Sequence, residues 1–334
     1  KEYEEIHNES DKLINKASNK LFEKEENSFV LFNPLSFQWE GIIPIPESFK
    51  QCSIVDENGN SVKTDLTNKG LIGLVSLSPL SFTTFKKGQS EAYKTNTSND
   101  LILENDLVRY EFDKSGRLIS CQDKEDNKEY LIDRGNIISL YEDIPNNWDA
   151  WDIDFFYRDA LIETAEIDGE LIKTEGGFYQ DISFNFKIGN STARQTICLN
   201  PSSKRLDFNT NVHWNEKHKM LRVHFPINIR SDQASFDIQY GYVKRNTHRN
   251  TSWDKAKFEV VGHHYADLSD LDNGVALMND CKYGYMVHDN ILDLNLLRSP
   301  NNPDPDADMG NHSFTYSFFP HGKDLVNSDV MPES

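Results

Sequence analysis

Residues 206–214 read LDFNTNVHW, and bulky or apolar side chains occupy every second position of this stretch. Successive side chains of a β-strand point to opposite faces of a sheet, so this period of two predicts a strand with one buried face. The same alternation recurs in residues 108–112, 182–188, 221–225 and 236–242. Strands this frequent, with almost no helical pattern between them, predict antiparallel sheets stacked as a large sandwich, with residues 98–334 forming one all-β domain.

The first residues follow a different pattern. In residues 2–24 the apolar positions recur at a spacing of about 3.6, which predicts an amphipathic helix. We expect residues 1–26 to be the last helix of a bundle that lies upstream of this sequence. A surface helix packed on the following domain is the alternative.

A second region of short strands follows this helix. Between residues 27 and 97 the period changes to two, and Asn-Pro, Gly-Asn and Asn-Lys-Gly turns interrupt it. Residues 88–99 are polar and nearly free of apolar side chains, as is typical of a linker. We therefore predict a small β domain over residues 27–97.

The composition argues against several classes of protein. Among 334 residues, 35 Lys and Arg face 54 Asp and Glu, so the formal charge at pH 7 is −19. A surface this negative repels nucleic acid. No apolar run approaches the roughly 20 residues of a membrane-spanning helix, so no membrane contact is predicted. The four cysteines lie far apart without a CxxC pair, and we expect a reduced, cytoplasmic protein.

One candidate binding segment is PNNWDAWDID, residues 145–154. Indole faces pack on sugar rings, and carboxylates accept hydrogen bonds from hydroxyl groups. Trp148 and Asp149 are therefore candidate sugar-binding residues. The alternative is that Trp148 is a hydrophobic plug and Asp149 an ordinary turn residue.

A second candidate is LRSPNNPDPDADMGNH, residues 297–312. Its alternating aspartates, which begin at Asp304, do not complete an EF-hand, because Met309 and Thr315 stand where that loop needs Gly and Glu. Three prolines predict a rigid loop in which Arg298 offers a fixed guanidinium group to a carboxylate or to vicinal hydroxyls.

A third segment, RNTHRNTSW at residues 245–253, precedes the adjacent His263 and His264. Neighbouring side chains on a strand point to opposite faces, so these two histidines do not predict a metal site. The usual nucleophile and phosphate-binding motifs are absent from the sequence.

Six motifs follow one another along the chain: FNPLSFQW from residue 32, LENDLVRYEFDKSGRLIS from 103, NNWDAWDID from 146, YGYVKRNTHRNTSWDKAKFEV from 240, HHYADLSDLDNGVALMNDCKYGY from 263 and LRSPNNPDPDADMGNHSFTYSFFPHG from 297. In this order they resemble the C-terminal half of a glycoside hydrolase family 38 α-mannosidase of the bacterial and cytosolic kind. The resemblance covers about residues 1–334.

The resemblance implies a fold. Members of this family have an N-terminal α/β barrel, a helix bundle and then β domains that end in a supersandwich like that of galactose mutarotase. This chain would hold a remnant of the bundle, a small β domain and a mainly β, antiparallel supersandwich that is truncated at its C-terminal end. Its first partner would be its own N-terminal barrel domain.

The resemblance also implies a division of chemistry. The family performs retaining hydrolysis of α-mannosides, and its nucleophile, its acid/base carboxylate and the ligands of its zinc or cobalt ion lie in the missing N-terminal half. We therefore expect no catalytic residue, metal ligand or cofactor here, and no turnover by this chain alone. Mannose-containing glycans would contact five residues at the pocket rim: Arg298, Tyr265, Trp148, Asp149 and Asp304.

Two other functions stay open at this point. A mutarotase-like sugar epimerase would need a histidine and a carboxylate on one concave sheet, for which His224, His264 and His312 are candidates. A carbohydrate-binding or oligomer-forming module needs neither the histidine nor the carboxylate. A homo-oligomer is compatible with each of the three functions.

Overall fold

The computed structural model describes residues 2–23, 25–67, 70–90, 92–93 and 95–334. Contacts divide the chain into two compact units, residues 1–95 and 96–334. The finer division into residues 1–26, 27–97 and 98–334 stays a prediction.

The first unit begins with helix α1 (Glu2–Leu21), which confirms the predicted N-terminal helix. Three acidic residues in its first turn and Lys20 in its last turn suit the helix dipole. None of its residues is buried, and Tyr3 and Leu13 are 82% and 67% exposed. Its apolar stripe is therefore not covered by the described residues.

The described part of the first unit also contains one antiparallel sheet of six strands: β1 (Ser28–Asn33), β2 (Trp39–Pro44), β3 (Cys52–Val55), β4 (Ser61–Thr67), β5 (Gly70–Leu77) and β6 (Ser81–Ser90). Their spatial order is β1-β6-β3-β4-β5-β2. Alternate residues of these strands, such as Ile54, Leu71 and Phe85, form a small core with Phe49 of a short 3-10 helix, Glu47–Phe49.

Residues 96–334, all of which the structure describes, contain twenty strands: β7 (Asn96–Ser98), β8 (Ile102–Glu104), β9 (Val108–Phe112), β10 (Leu118–Asp123), β11 (Ile137–Glu142), β12 (Leu161–Thr164), β13 (Glu166–Ile167), β14 (Ile172–Glu175), β15 (Gln180–Ile188), β16 (Ser191–Leu199), β17 (Leu206–Trp214), β18 (Lys219–Pro226), β19 (Gln233–Ile238), β20 (Gly241–Asn246), β21 (Val260–Val261), β22 (Tyr265–Ser269), β23 (Asn273–Asn279), β24 (Gly284–His288), β25 (Ile291–Arg298) and β26 (Gly310–Gly322). Helices are short: α2 (Ser252–Ala256), α3 (Val330–Glu333) and 3-10 turns at Phe155–Asp159 and Leu325–Asn327.

These strands form three sheets within residues 96–334. A three-stranded sheet has the order β10-β9-β8, and a six-stranded sheet has the order β12-β11-β18-β25-β24-β21. An eleven-stranded sheet runs β20-β19-β22-β23-β26-β17-β16-β15-β14-β7, with β13 beside β15. The strand pairs are antiparallel, which confirms the predicted sheet class. The closer likeness to galactose mutarotase stays a prediction.

One hydrophobic core joins the inner faces of these sheets. In β17, Leu206, Phe208 and Trp214 are buried, as the alternation predicts. From the six-stranded sheet, Leu221 and Phe225 of β18 enter the same core. Full burial of each such side chain contributes about 1.5 to 3 kcal/mol before the cost of ordering the chain.

Gly116 allows a turn to approach this core closely. Its φ is +70°, and a Cβ atom placed there would lie 2.5 Å from the Phe184 ring. Any other residue would therefore meet both backbone strain and a steric clash at this position.

The outer faces of the two large sheets differ. On β18, Met220 and Arg222 point away from the core, where they are covered by the segments around residues 145–160 and 250–260. On the eleven-stranded sheet, Tyr265 and Phe319 pack under the last segment of the chain, with Leu325 and Val330. The first of these outer faces carries the candidate site.

Candidate functional site

Sheet topology brings three distant parts of the chain to one edge. Strands β11, β18 and β25 are antiparallel neighbours, so the end of β11, the start of β18 and the end of β25 meet. Asp143, His218 and Arg298 stand at these three strand ends. The edge therefore concentrates one carboxylate, one imidazole and one guanidinium group.

Arg298 is occupied by protein groups. Its Nε donates to Asp143 Oδ2 at 2.5 Å, and its Nη2 donates to the Asp149 carbonyl at 2.9 Å. Its guanidinium group also donates to the carbonyls of Ala150, at 3.3 Å, and of Asp152. The side chains of Arg298 and Asp143 are 14% and 1% exposed. The guanidinium group of Arg298 therefore fixes residues 149–152 to the ends of these strands.

Burial raises the pKa of Asp143, although the hydrogen bond from Arg298 and its charge act in the opposite direction. A buried carboxylate is costly unless it is paired. The positive charge of Arg298 therefore balances the charge of Asp143, and the same side chain fixes the loop.

Asp149 ties this loop to the proline-rich loop that follows β25. Its Oδ2 accepts hydrogen bonds from the N–H groups of Asn301, at 2.8 Å, and Asn302, at 3.0 Å. His218 Nε2 lies 3.1 Å from the same oxygen. Burial alone would raise the pKa of Asp149, but the Asn301 N–H and His218 outweigh it, and the pKa lies below its usual value.

The clamped loop presents two indoles to solvent. Trp148 and Trp151 are 72% and 73% exposed. Trp148 has a φ of +59°, and its carbonyl accepts the N–H groups of Trp151, at 2.7 Å, and Asp152, at 2.8 Å. The base of the loop is closed by Asp154, whose Oδ2 accepts the Asn146 N–H at 2.6 Å. A tight, closed turn therefore holds both rings outward.

The remaining predicted residues lie differently. Asp304 is exposed on the loop that Asp149 anchors, and its Oδ1 accepts the Asp306 N–H at 2.9 Å. Tyr265 is 3% exposed and packs with Met278 and Leu325 on the outer face of the eleven-stranded sheet. The structure brings Arg298, Trp148, Asp149 and Asp304 to one edge of the molecule. Tyr265 offers no surface to a sugar, because its side chain points to the face of β22 that the C-terminal residues Leu325 and Val330 cover.

A second ionic cluster lies on the same outer face. Arg222 is 1% exposed, and it donates to Asp293 Oδ1 at 2.7 Å and to Glu259 Oε2 at 3.1 Å. Tyr157 donates to Glu259 Oε1 at 2.5 Å. Burial lowers the pKa of Arg222, but Asp293 and Glu259 outweigh it and raise the pKa. This cluster fixes the 155–159 turn just as Arg298 fixes the 149–152 segment.

The histidines considered for an epimerase lie on separate elements. His224 stands on β18, His312 on β26 and His264 just before β22. Burial lowers the pKa of His224. His312 Nε2 lies 2.7 Å from the Asp308 carbonyl oxygen, and the His264 N–H donates to Asp237. His224 lies opposite Asp293 of β25, and the three histidines do not share one site.

Sequence reasoning missed Asp143, His218 and Asn301. Asp143 comes at the end of an ordinary strand pattern and His218 lies in a charged turn, so neither has a local signal. Only the adjacency of β11, β18 and β25 makes them neighbours of Arg298. A correct strand order would have found them.

Comparison with known proteins places this β architecture among the sugar hydrolases. The sequence profile described as "Glycosyl hydrolases family 38 C-terminal domain" matches residues 103–306. The class is thus a β domain of a glycosyl hydrolase. The chain belongs to glycosyl hydrolase family 38 and carries that family's C-terminal domain.

Curated relatives agree with this family. The chain is 37% identical to alpha-mannosidase G of Dictyostelium discoideum over 92% of this chain and 30% of that protein. It is 40% identical to alpha-mannosidase 2C1 of Mus musculus over 70% of this chain and 23% of that protein. The chain therefore spans less than a third of the length of these relatives.

A solved structure shares the fold. The crystal structure of an alpha-mannosidase from Enterococcus faecalis V583 aligns with a TM-score of 0.67 and 16% sequence identity. The alignment covers 90% of this chain and 44% of that one.

In the part of the chain that the structure describes, no helix has the length and apolarity needed to cross a bilayer.

Proposed function

We propose that this chain is the non-catalytic C-terminal half of a retaining α-mannosidase. It would support the N-terminal barrel and line one side of the pocket that binds mannose-containing glycans. The family assignment and the names of the curated relatives support this proposal. Location in the cytoplasm and assembly into a homo-oligomer belong to the same proposal.

The observation that carries the proposal is the clamped loop with its two exposed indoles. The two indoles lie three residues apart on one rigid turn, and indole faces pack well on the apolar faces of pyranose rings. The guanidinium group of Arg298 and Oδ2 of Asp149 hold this loop through hydrogen bonds to protein groups. We therefore assign sugar contact to Trp148 and Trp151, and positioning to Arg298 and Asp149.

Asp304 would act beside them, since its exposed carboxylate can accept hydrogen bonds from sugar hydroxyl groups. Tyr265 is left out of this rim because its ring is buried. The rim thus consists of two aromatic faces and one carboxylate on rigid loops.

The chemical steps would take place on residues that the family resemblance puts upstream. A carboxylate would attack the anomeric carbon to form a glycosyl-enzyme, which water would then resolve. Zinc or cobalt in that half would bind sugar hydroxyl groups. Among the described residues, no three His, Cys, Asp or Glu side chains are placed to hold a metal ion, so these residues do not fit that metal. They enter the proposal only as binding and positioning groups.

The test is hydrolysis of an aryl α-mannoside, with zinc or cobalt added, by this chain and by the same protein extended upstream through its barrel. We expect turnover only from the extended protein. Turnover by the 334-residue chain would overturn the non-catalytic assignment.

The sugar-rim assignment needs its own variants in the extended protein. We expect Trp148→Ala and Trp151→Ala each to raise KM several-fold, since one lost aromatic contact is worth about 0.5 to 1.5 kcal/mol. Tyr240→Ala is the control, because this fully exposed aromatic lies on the β19–β20 turn. Equal kinetics for all three variants would remove the loop from the pocket.

A further inference from the structure

An open cleft of about 620 Å³ lies on the outer face of the eleven-stranded sheet, where that sheet ends at β19 and β20. Ser235 of β19 and Tyr242 and Lys244 of β20 form its floor. Its walls are the residues before β19, the β22–β23 turn and the 3-10 turn Leu325–Asn327. The proposed sugar rim belongs to the outer face of the six-stranded sheet, so the cleft is a separate place on the other side of the sandwich.

The strand register puts the floor groups on one face. Ser235 lies directly opposite Lys244, and Tyr242 is two residues from Lys244, so the three side chains point the same way. Ala234 and Phe236, the neighbours of Ser235, point into the large core instead. The floor is therefore a fixed array of polar groups on a rigid sheet.

These polar groups are free to bind a ligand. Within residues 96–334, all of which the structure describes, the side chains of Ser235, Tyr242, Lys244 and Asp232 take part in no hydrogen bond or ion pair, and all four line the cleft. Tyr242 is 36% exposed, and the Ser235 oxygen is not among the unpartnered atoms that are sealed from solvent. The cleft thus offers an ammonium group, two hydroxyl groups and a carboxylate.

The charge of the lining excludes an anion as the natural ligand. Asp232, Asp270 and Asp324 face one cation, Lys244, so the cleft repels negative charge. Asp270 and Asp324 each use one oxygen to accept a backbone N–H group of their own turn, at 2.8 and 3.1 Å. Among the described residues no three His, Cys, Asp or Glu side chains are placed to hold a metal ion. A neutral ligand fits this lining best.

The mouth of the cleft adds apolar surface. Leu271 and Val326 stand on opposite walls and are 86% and 61% exposed. The Tyr242 ring lies on the floor between polar groups. A ligand that matches both kinds of surface has hydroxyl groups, which donate and accept hydrogen bonds, and an apolar ring face.

We infer that this cleft binds a neutral pyranose, as a mono- or disaccharide, and is a second carbohydrate site of the chain. Tyr242 packs on the apolar face of the sugar ring, Lys244 and Ser235 donate to its oxygens, and Asp232 accepts from its hydroxyl groups. The volume lies within the roughly 300 to 1,000 Å³ of ordinary small-molecule sites.

The experiment is a saturation-transfer NMR titration of the 334-residue chain with methyl α-mannoside, methyl β-glucoside and methyl β-glucuronide. The chain carries Trp148→Ala and Trp151→Ala, so that the proposed rim contributes nothing and the result is independent of it. We expect saturable binding of at least one of the two neutral glycosides. The glucuronide, which differs from the glucoside by one carboxylate, should bind several-fold more weakly than the glucoside, and tighter binding of the glucuronide would overturn the inference.

Two further variants decide the location. Tyr242→Ala should weaken binding of the neutral glycoside about fivefold, since an aromatic contact is worth about 0.5 to 1.5 kcal/mol, and Lys244→Gln should weaken it about threefold. Tyr240→Ala is the matched control, because Tyr240 is fully exposed and does not line the cleft. If the melting curve of Tyr242→Ala shows an unfolded protein, the exposed Lys244 decides. Absence of saturable binding, or equal binding by all variants, would show that the cleft is not a sugar site.

Discussion

Arg298 illustrates how one residue can connect structure and function at the strand edge. It was a candidate for direct sugar contact, yet its guanidinium group bonds to Asp143 and to three loop carbonyls. Its contribution to a sugar pocket would therefore be indirect, through the position of Trp148 and Trp151.

At this scale we predict that Arg298→Ala destabilises the protein by about 3 to 5 kcal/mol, because it leaves the carboxylate of Asp143 buried and unpaired. The measurement is urea unfolding at pH 7. Arg134→Ala is the matched control, since Arg134 pairs with Asp113 at 3.4 Å but is 55% exposed, and it should cost less than about 1 kcal/mol.

The pairing itself is tested by the double variant Asp143→Ala/Arg298→Ala. It should cost clearly less than the sum of the two single variants, because the second change removes a charge that the first has already left unpaired. Additive costs would show that the two side chains do not depend on each other.

Among the elements, α1 is a long helix whose formation owes little to packing on the described residues. It has no buried residue, and its described apolar side chains face solvent. Most of the stability of helices in proteins comes from packing of their apolar face. The stripe supports the proposal that α1 completes a bundle formed with residues outside this sequence.

We predict that Ile14→Pro reduces the helical circular dichroism signal of the 334-residue chain without shifting its main unfolding transition. Proline costs a helix interior about 3 kcal/mol, but this helix adds no buried contacts to the rest. Ile14→Ala is the control, because alanine keeps the helix. A lower unfolding midpoint for the proline variant alone would show that α1 packs on the chain after all.

For the whole molecule, the two units should fold separately. The large core is built within residues 96–334, and the small core lies within residues 1–95. A chain of 239 residues can bury ample apolar surface by itself.

We therefore expect residues 96–334, produced alone, to give a β-type circular dichroism spectrum and a cooperative thermal transition. Leu221→Ala should lower that transition in both the short and the full chain, because Leu221 is fully buried in the large core. An expanded or aggregated product would show that the second unit needs the first.

The sequence allowed the class of fold to be predicted because the signal is local. Alternation in residues 206–214 reports directly which face of β17 is buried, and the 3.6-residue spacing in residues 2–24 reports α1 in the same way. Neither pattern depends on where the element lies in the molecule. The order of the strands does depend on position in the molecule, and no periodicity in the sequence encodes that order.

The candidate site was only partly predictable for that reason. Trp148 and Asp149 stood out by composition, but their anchors Arg298, Asp143 and His218 come from three strands far apart in the sequence. Tyr265 was chosen by its position in a motif. Its strand, however, turns it to the covered outer face, which depends on the last segment of the chain.

Strand β20 is the last strand of the eleven-stranded sheet. One side of its backbone therefore has no strand beside it and could pair with the sheet of another molecule. Lysine and arginine on such an edge discourage that pairing by repulsion. Lys244 and Arg245 thus help to keep the β20 edges of two copies apart and so protect the molecule against fibre-like association.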